Sequence, residues 1–246
     1  MDFEEIVATV KDLLTREGRL KFRIRRRTKM LRERYAQSEM RMEAADKLKA
    51  IGTPQAIYGL AQRFSATSEN QGVDQDEKKQ VRDMLVDFGE KAVEPVRRYL
   101  RAHDEVSWAV DTLKRLQSEA DVSAFLIEIL HEGDPVYIRG HKAVQILHAL
   151  ETLKDPRIVE GVIPCLKSPD DTVRFAAAGS LEAHADERAR DPLLEALVNE
   201  EDSIRVRTRI AEALEKLGWD IKGYRKKVEG ALPPPYRLNS RGQVVK

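Results

Sequence analysis

One ruler fits several segments of the chain. "RMEAADKLKAIG" from Arg41 and "RTRIAEALEKLG" from Arg207 both read Arg, then Ala or Ile at +3, Ala at +4, Leu at +7, Ile or Leu at +10 and Gly at +11. Laid from Lys78, Val106, Gly140 and Arg174, the same ruler finds Leu85, Leu113, Leu147 and Leu181 at +7. The starts at 41, 78, 106, 140, 174 and 207 are separated by 37, 28, 34, 34 and 33 residues. Positions +3, +4, +7, +10 and +11 share one face of a 3.6-residue helix, and Gly at +11 stops the helix by turning left-handed. A second amphipathic segment follows several of these, opened by proline: "TPQAIYGLAQRF", "DPRIVEGVIPCL" and "DPLLEALV", with Thr53, Asp155 and Asp191 as N-caps. Helix pairs of this period cannot bury a face alone, so they stack. The expectation is an all-α fold, a right-handed alpha-alpha superhelix of about six helix pairs over residues 38–218, with no sheet. An N-terminal helical cap over 1–37, a C-terminal capping helix over 219–231 and a basic, Pro-initiated tail over 232–246, mobile or docked, complete the reading.

The stretch "LKSPDDTVRFAAAGSLEAHADERARDPLLEALVNEEDSIRVRTRIAEALEKLG" resembles HEAT repeats, in particular the short phycobilisome-lyase type, marked by an acidic turn, Val-Arg and an Ala-rich helix. The resemblance extends over residues 38–218. It implies that a turn Asp and a helix Arg tie neighbouring repeats, here Asp171 with Arg174, and Asp202 with Arg205 or Arg207. Tetratricopeptide repeats share the period, but their Trp, Gly-Tyr and late Pro offsets are missing.

Composition narrows the function classes. Charged residues make up 35% and aromatics 6%, a soluble helical composition, and no apolar run reaches the ~18 residues of a membrane span. The acidic start "MDFEEIVATV" is unlike a signal peptide, so the expected location is cytoplasmic. The single cysteine, Cys165, reads as a core hydrophobe. His103, His131, His141, His148 and His184 show no paired metal spacing, and the His-Glu pairs with which deoxyhypusine hydroxylase, built from similar repeats, holds iron are reduced to His131-Glu132. P-loop, dinucleotide and nucleophile-elbow motifs are missing. The expectation is a chain that is no enzyme, with no catalytic residue, cofactor or metal.

A binding wall follows by subtraction. With +3, +7 and +10 inward, +2, +5 and +9 face out, giving a wall acidic at Glu43, Asp46, Asp83 and Asp87. Trp108, Asp111, Arg115, Lys142 and Gln145 form its middle, and Ala176 and Gly179 a bare patch where another backbone approaches closely, followed by Arg209. Trp and Arg dominate interface energies, so these are the candidate partner-binding residues; Trp108 tucked into a neighbouring repeat is the structural alternative. The leading function is an adaptor for a protein partner whose identity the sequence does not name. The alternative is a DNA-binding or DNA-repair solenoid, since alkylpurine DNA glycosylases are built from similar repeats.

The segment "RLKFRIRRRTKMLRERY", residues 19–35, carries nine Lys or Arg against Glu33. Leu20, Ile24, Leu31 and Tyr35 share one helical face, which suits a helix docked on the first repeat or on a preceding stripe of Phe3, Ile6, Val7, Val10, Leu13 and Leu14. Its remaining surface is cationic. It serves either as a structural cap or as a weak contact for nucleic acid or an acidic protein, with Arg23, Arg25, Arg26 and Arg27 as the polyanion-binding candidates. The polar stretch 65–80 is expected as a long loop, with Asp74, Asp76 and Glu77 capping the next helix.

Overall fold

The computed structural model describes residues 15–132 and 140–246, which fall into two compact units divided between Gln117 and Ser118. The apolar stripe at residues 3–14 lies outside the described residues.

The first unit contains α1 (Arg16–Leu31), α2 (Ser38–Ile51), α3 (Pro54–Ala61), α4 (Gln71–Val86), α5 (Val93–Ala102) and α6 (Ser107–Leu116). Local chemistry sets their ends. The Thr15 hydroxyl accepts from the Gly18 N–H at 2.9 Å and the Asn70 side chain from Val73 at 3.1 Å, each satisfying an otherwise orphaned donor. Thr53 caps α3, whose first residue is Pro54, and α2 ends at left-handed Gly52 (φ 64°). Helices α2, α4 and α6 pack side by side, and α1, α3 and α5 form the layer behind them. The +7 leucines Leu48, Leu85 and Leu113 are fully buried between the layers.

The second unit repeats the arrangement with α7 (Glu119–His131), α8 (Gly140–Leu150), α9 (Arg157–Val162), α10 (Asp171–His184), α11 (Arg190–Asn199), α12 (Ile204–Leu217) and α13 (Arg225–Ala231). Here α8, α10 and α12 make one layer, and α7, α9, α11 and α13 the other, with Leu147, Leu181 and Leu214 fully buried. Gly218 stops α12 (φ 64°), and Ala185 makes the same left-handed turn after α10 (φ 51°) without a glycine. Gly140, at the ruler's zero position, has another role: a Cβ there would fall 1.8 Å from the Asp170 carboxylate, so a bare α-carbon lets the α10 cap close on the start of α8. Both units are therefore helical, repeat-like stacks of helix pairs, as the leucine ruler implies.

Four local expectations need correction. The stretch 65–80 is no long loop, because α4 begins at Gln71. Its cap is Asn70, while Asp74 and Glu77 point into the protein. Asp191 lies within the first turn of α11 rather than at its cap. Tyr35 is 71% exposed, because α1 ends at Leu31 and the chain turns before the apolar face can extend that far. The expectation of no sheet fails at the tail, which is docked and includes a small antiparallel hairpin of β1 (Arg237–Leu238) and β2 (Val244–Val245). The hairpin packs on α12, burying Tyr236 and Val244, and Ile221 donates to the Gly242 carbonyl at 2.9 Å.

Candidate partner-binding surfaces

In the first unit Trp108 is half-buried at the start of α6, its ring stacked on Phe64 at 6.3 Å and 18°. The Arg82 guanidinium lies 5.7 Å over the indole, donates to Asp83 at 2.7 Å and reaches Asp111 at 2.9 Å. Arg115 approaches the same Asp111 carboxylate at 3.4 Å. The result is a ridge of alternating charge beside one aromatic edge, with Arg115 exposed. Arg82, which breaks the ruler at +4, is the residue that organises this ridge from beneath. Trp108 is thus held between Phe64 and Arg82 and keeps part of its surface exposed.

In the second unit the outward wall is largely covered. Lys142 is 8% exposed and Ala176 2%, so neither faces outward. Gly179 is buried too, and a Cβ on it would meet the Arg209 guanidinium at 3.1 Å and Glu151 at 3.6 Å. The expected bare patch is thus already filled, by Arg209 of the next repeat. Arg209 and Lys216 both pair with the buried Glu182 carboxylate. Burial pushes that carboxyl up, but the two cations outweigh it and hold it below its ordinary range. Gln145 is half-buried and pairs with His141 one turn earlier at 2.6 Å. The physical reason for the miss is that α10 lies between α8 and α12, so three of its faces are covered.

The tie between repeats also differs in its partners. Arg174 grips Glu200 at 2.7 and 3.0 Å and donates to the Ser168 carbonyl at 2.8 Å, whereas Asp171 accepts from the Ser203 hydroxyl at 3.0 Å. Arg205 lies 4.2 Å over the Phe175 ring rather than serving Asp202.

Sequence reasoning missed the most polar part of the core. Arg41, Arg63, Asp74, Glu77 and Lys78 are all buried in the first unit. Glu77 accepts from Arg41 at 2.8 and 2.7 Å, from Arg63 at 3.1 Å and from the Ser38 hydroxyl at 2.7 Å. Asp74 accepts from Arg63 at 2.6 Å and pairs with Lys78 at 2.7 Å, and Arg41 also reaches the Ala36 carbonyl. Burial raises both carboxyls, but the surrounding cations prevail and hold them below their usual range. The available signal was the spacing of Asp74, Glu77 and Lys78, which puts all three on the face of α4 that also carries Val81 and Leu85.

On α1 the four candidate arginines do not share a face. Arg23, Arg25 and Arg26 are exposed, whereas Arg27 is half-buried and lies where its charge acts on Glu43. Ile24, Thr28 and Leu31 hold the helix to the unit, and Gly59 of α3 approaches so closely that a Cβ would fall 2.4 Å from the Thr28 hydroxyl. Among the described residues no group of three or more His, Cys, Asp or Glu is placed to hold a metal ion, and no helix is long and apolar enough to cross a membrane.

No curated protein matches the chain closely enough to count as a relative. The family described as HEAT repeats matches residues 124–215, from within α7 to the last turn of α12. The pairs α2 with α3 and α4 with α5, which follow the same ruler, lie outside that match. Residues 124–215 are accordingly a HEAT-repeat domain.

Proposed function

We propose that the protein is a non-enzymatic HEAT-like adaptor that holds a protein partner on the surface of its repeats, with Trp108, Asp111 and Arg115 as the principal contact. The supporting observation is the ridge on α6, where a half-exposed indole is fixed by Phe64 and Arg82 beside an exposed guanidinium. A pre-positioned aromatic edge beside Arg is the pairing that carries interface energy at little ordering cost. Arg209, Lys142, Ala176 and Gly179 contribute by shaping the second unit. Affinity capture from native extract, with and without nuclease, tests the reading. The wild type should retain a protein after nuclease, Arg115→Glu should lose it with an unchanged helical spectrum, and Trp108→Ala should lose it as well. Capture of the same partner by both variants would refute the assignment.

A second reading, a nucleic-acid-binding solenoid, is favoured by the exposed cations of α1. It requires that nuclease abolish capture and that binding weaken steeply with salt.

A further inference from the structure

The charge on α1 is presented unevenly. Arg25, Lys29 and Arg32 succeed one another at steps of four and three residues and line one side of a groove of about 900 Å³, into which Arg98 of α5 also faces. Among the described residues none of Arg25, Lys29 and Arg32 has a carboxylate within ion-pairing distance, and all are exposed. Gln55, Gln62 and Thr67, from α3 and the turn beyond it, make the facing wall, and the two carboxylates that line the groove, Glu17 and Glu33, sit at the two ends of α1. Gln62 accepts from the Arg32 guanidinium at 3.2 Å, and Arg98 is stacked 4.5 Å over the Tyr58 ring, so two cations are oriented before any ligand arrives. By contrast, Arg16, Arg23 and Arg26 on the same helix line no part of the groove.

We propose that this groove binds a single-stranded nucleic-acid segment through its phosphodiester backbone, an inference that rests on the second reading above. Helical rise separates cations four residues apart by about 6 Å along the wall. That spacing suits successive charges on an extended strand. From Glu17 to Arg32 the wall runs roughly 22 Å, a length that suits a short run of one extended strand. The amide and hydroxyl groups of the facing wall suit sugars and base edges.

The test uses the full chain and a labelled short oligo(dT), the corresponding duplex and polyglutamate, followed by fluorescence anisotropy across a salt series. Two charge-matched variants are compared: Arg25→Gln with Lys29→Gln and Arg32→Gln, and Arg16→Gln with Arg23→Gln and Arg26→Gln. The groove triple should weaken single-strand binding about tenfold more than the control triple, and should flatten the log-log salt slope by about 2, at ~0.7 per lost phosphate contact. Gln55→Glu, an exposed change on the opposite wall, should weaken binding with α1 untouched. Equal losses from the two triples, an unaffected Gln55→Glu, or duplex or polyglutamate binding as tight as the single strand would overturn the groove assignment. A wild type that binds no oligonucleotide at all would instead remove the second reading itself.

Discussion

Replacing Glu77 by Gln keeps the shape of the side chain and removes one of the two buried anions that face Arg41, Arg63 and Lys78. Three cations would then share the single charge of Asp74, and Arg41 would lose its two bonds to the Glu77 carboxylate, at 2.8 and 2.7 Å. Breaking a buried pair from one side costs about 3–5 kcal/mol, because the abandoned charge stays desolvated. With a urea dependence of about 1–3 kcal/mol per molar, the midpoint should fall by at least ~1 M. Trp108 fluorescence in a Trp219→Phe background reports the first unit alone. A midpoint shift below ~0.3 M for Glu77→Gln would refute this account of the network. The same reasoning fixes the pH dependence. The folded values of Asp74 and Glu77 lie below the ordinary ones, so their contribution is complete above the usual carboxylate range near ~4 and is lost as the pH falls through the depressed values. The first unit should hold its urea midpoint from neutral pH to that range and soften below it.

Leu147→Ala should cost roughly 2–5 kcal/mol, read as a lowered chemical-denaturation midpoint, because Leu147 is fully buried between the layers. Gly59→Ala should destabilise by about 1–3 kcal/mol through the clash with the Thr28 hydroxyl, and the loss should shrink in a Thr28→Ala background where that atom is gone. Cys165, whose thiol burial pushes up to about 11, should react only slowly with a thiol reagent at pH 8 and quickly once the protein is unfolded.

The periodic face of each helix was legible because it depends on residues within that helix: all six +7 leucines are fully buried, and Gly52 and Gly218 stop their helices. What a neighbouring helix covers was not legible. Ala176 and Gly179 read as an open patch on α10 taken singly, yet the run Ala176–Ala177–Ala178–Gly179–Ser180 is small on every side, the mark of a helix enclosed all round. Trp108 and Gly179 occupy comparable outward positions, but one has an open flank and the other receives Arg209. The buried charges were hidden for a related reason. Polar letters between Ser65 and Gln80 suggest a loop until it is known that Arg63 awaits them across the core.

The fit of Arg209 over Gly179 bears on how freely such a chain can be rearranged. By their leucines the repeats are interchangeable parts. At one flank they are keyed to each other, since a Cβ on Gly179 would meet the Arg209 guanidinium of the next repeat at 3.1 Å. Transposing either repeat alone would part that pair and leave Arg209 without its recess. A working rearrangement would have to carry Gly179 and Arg209 together.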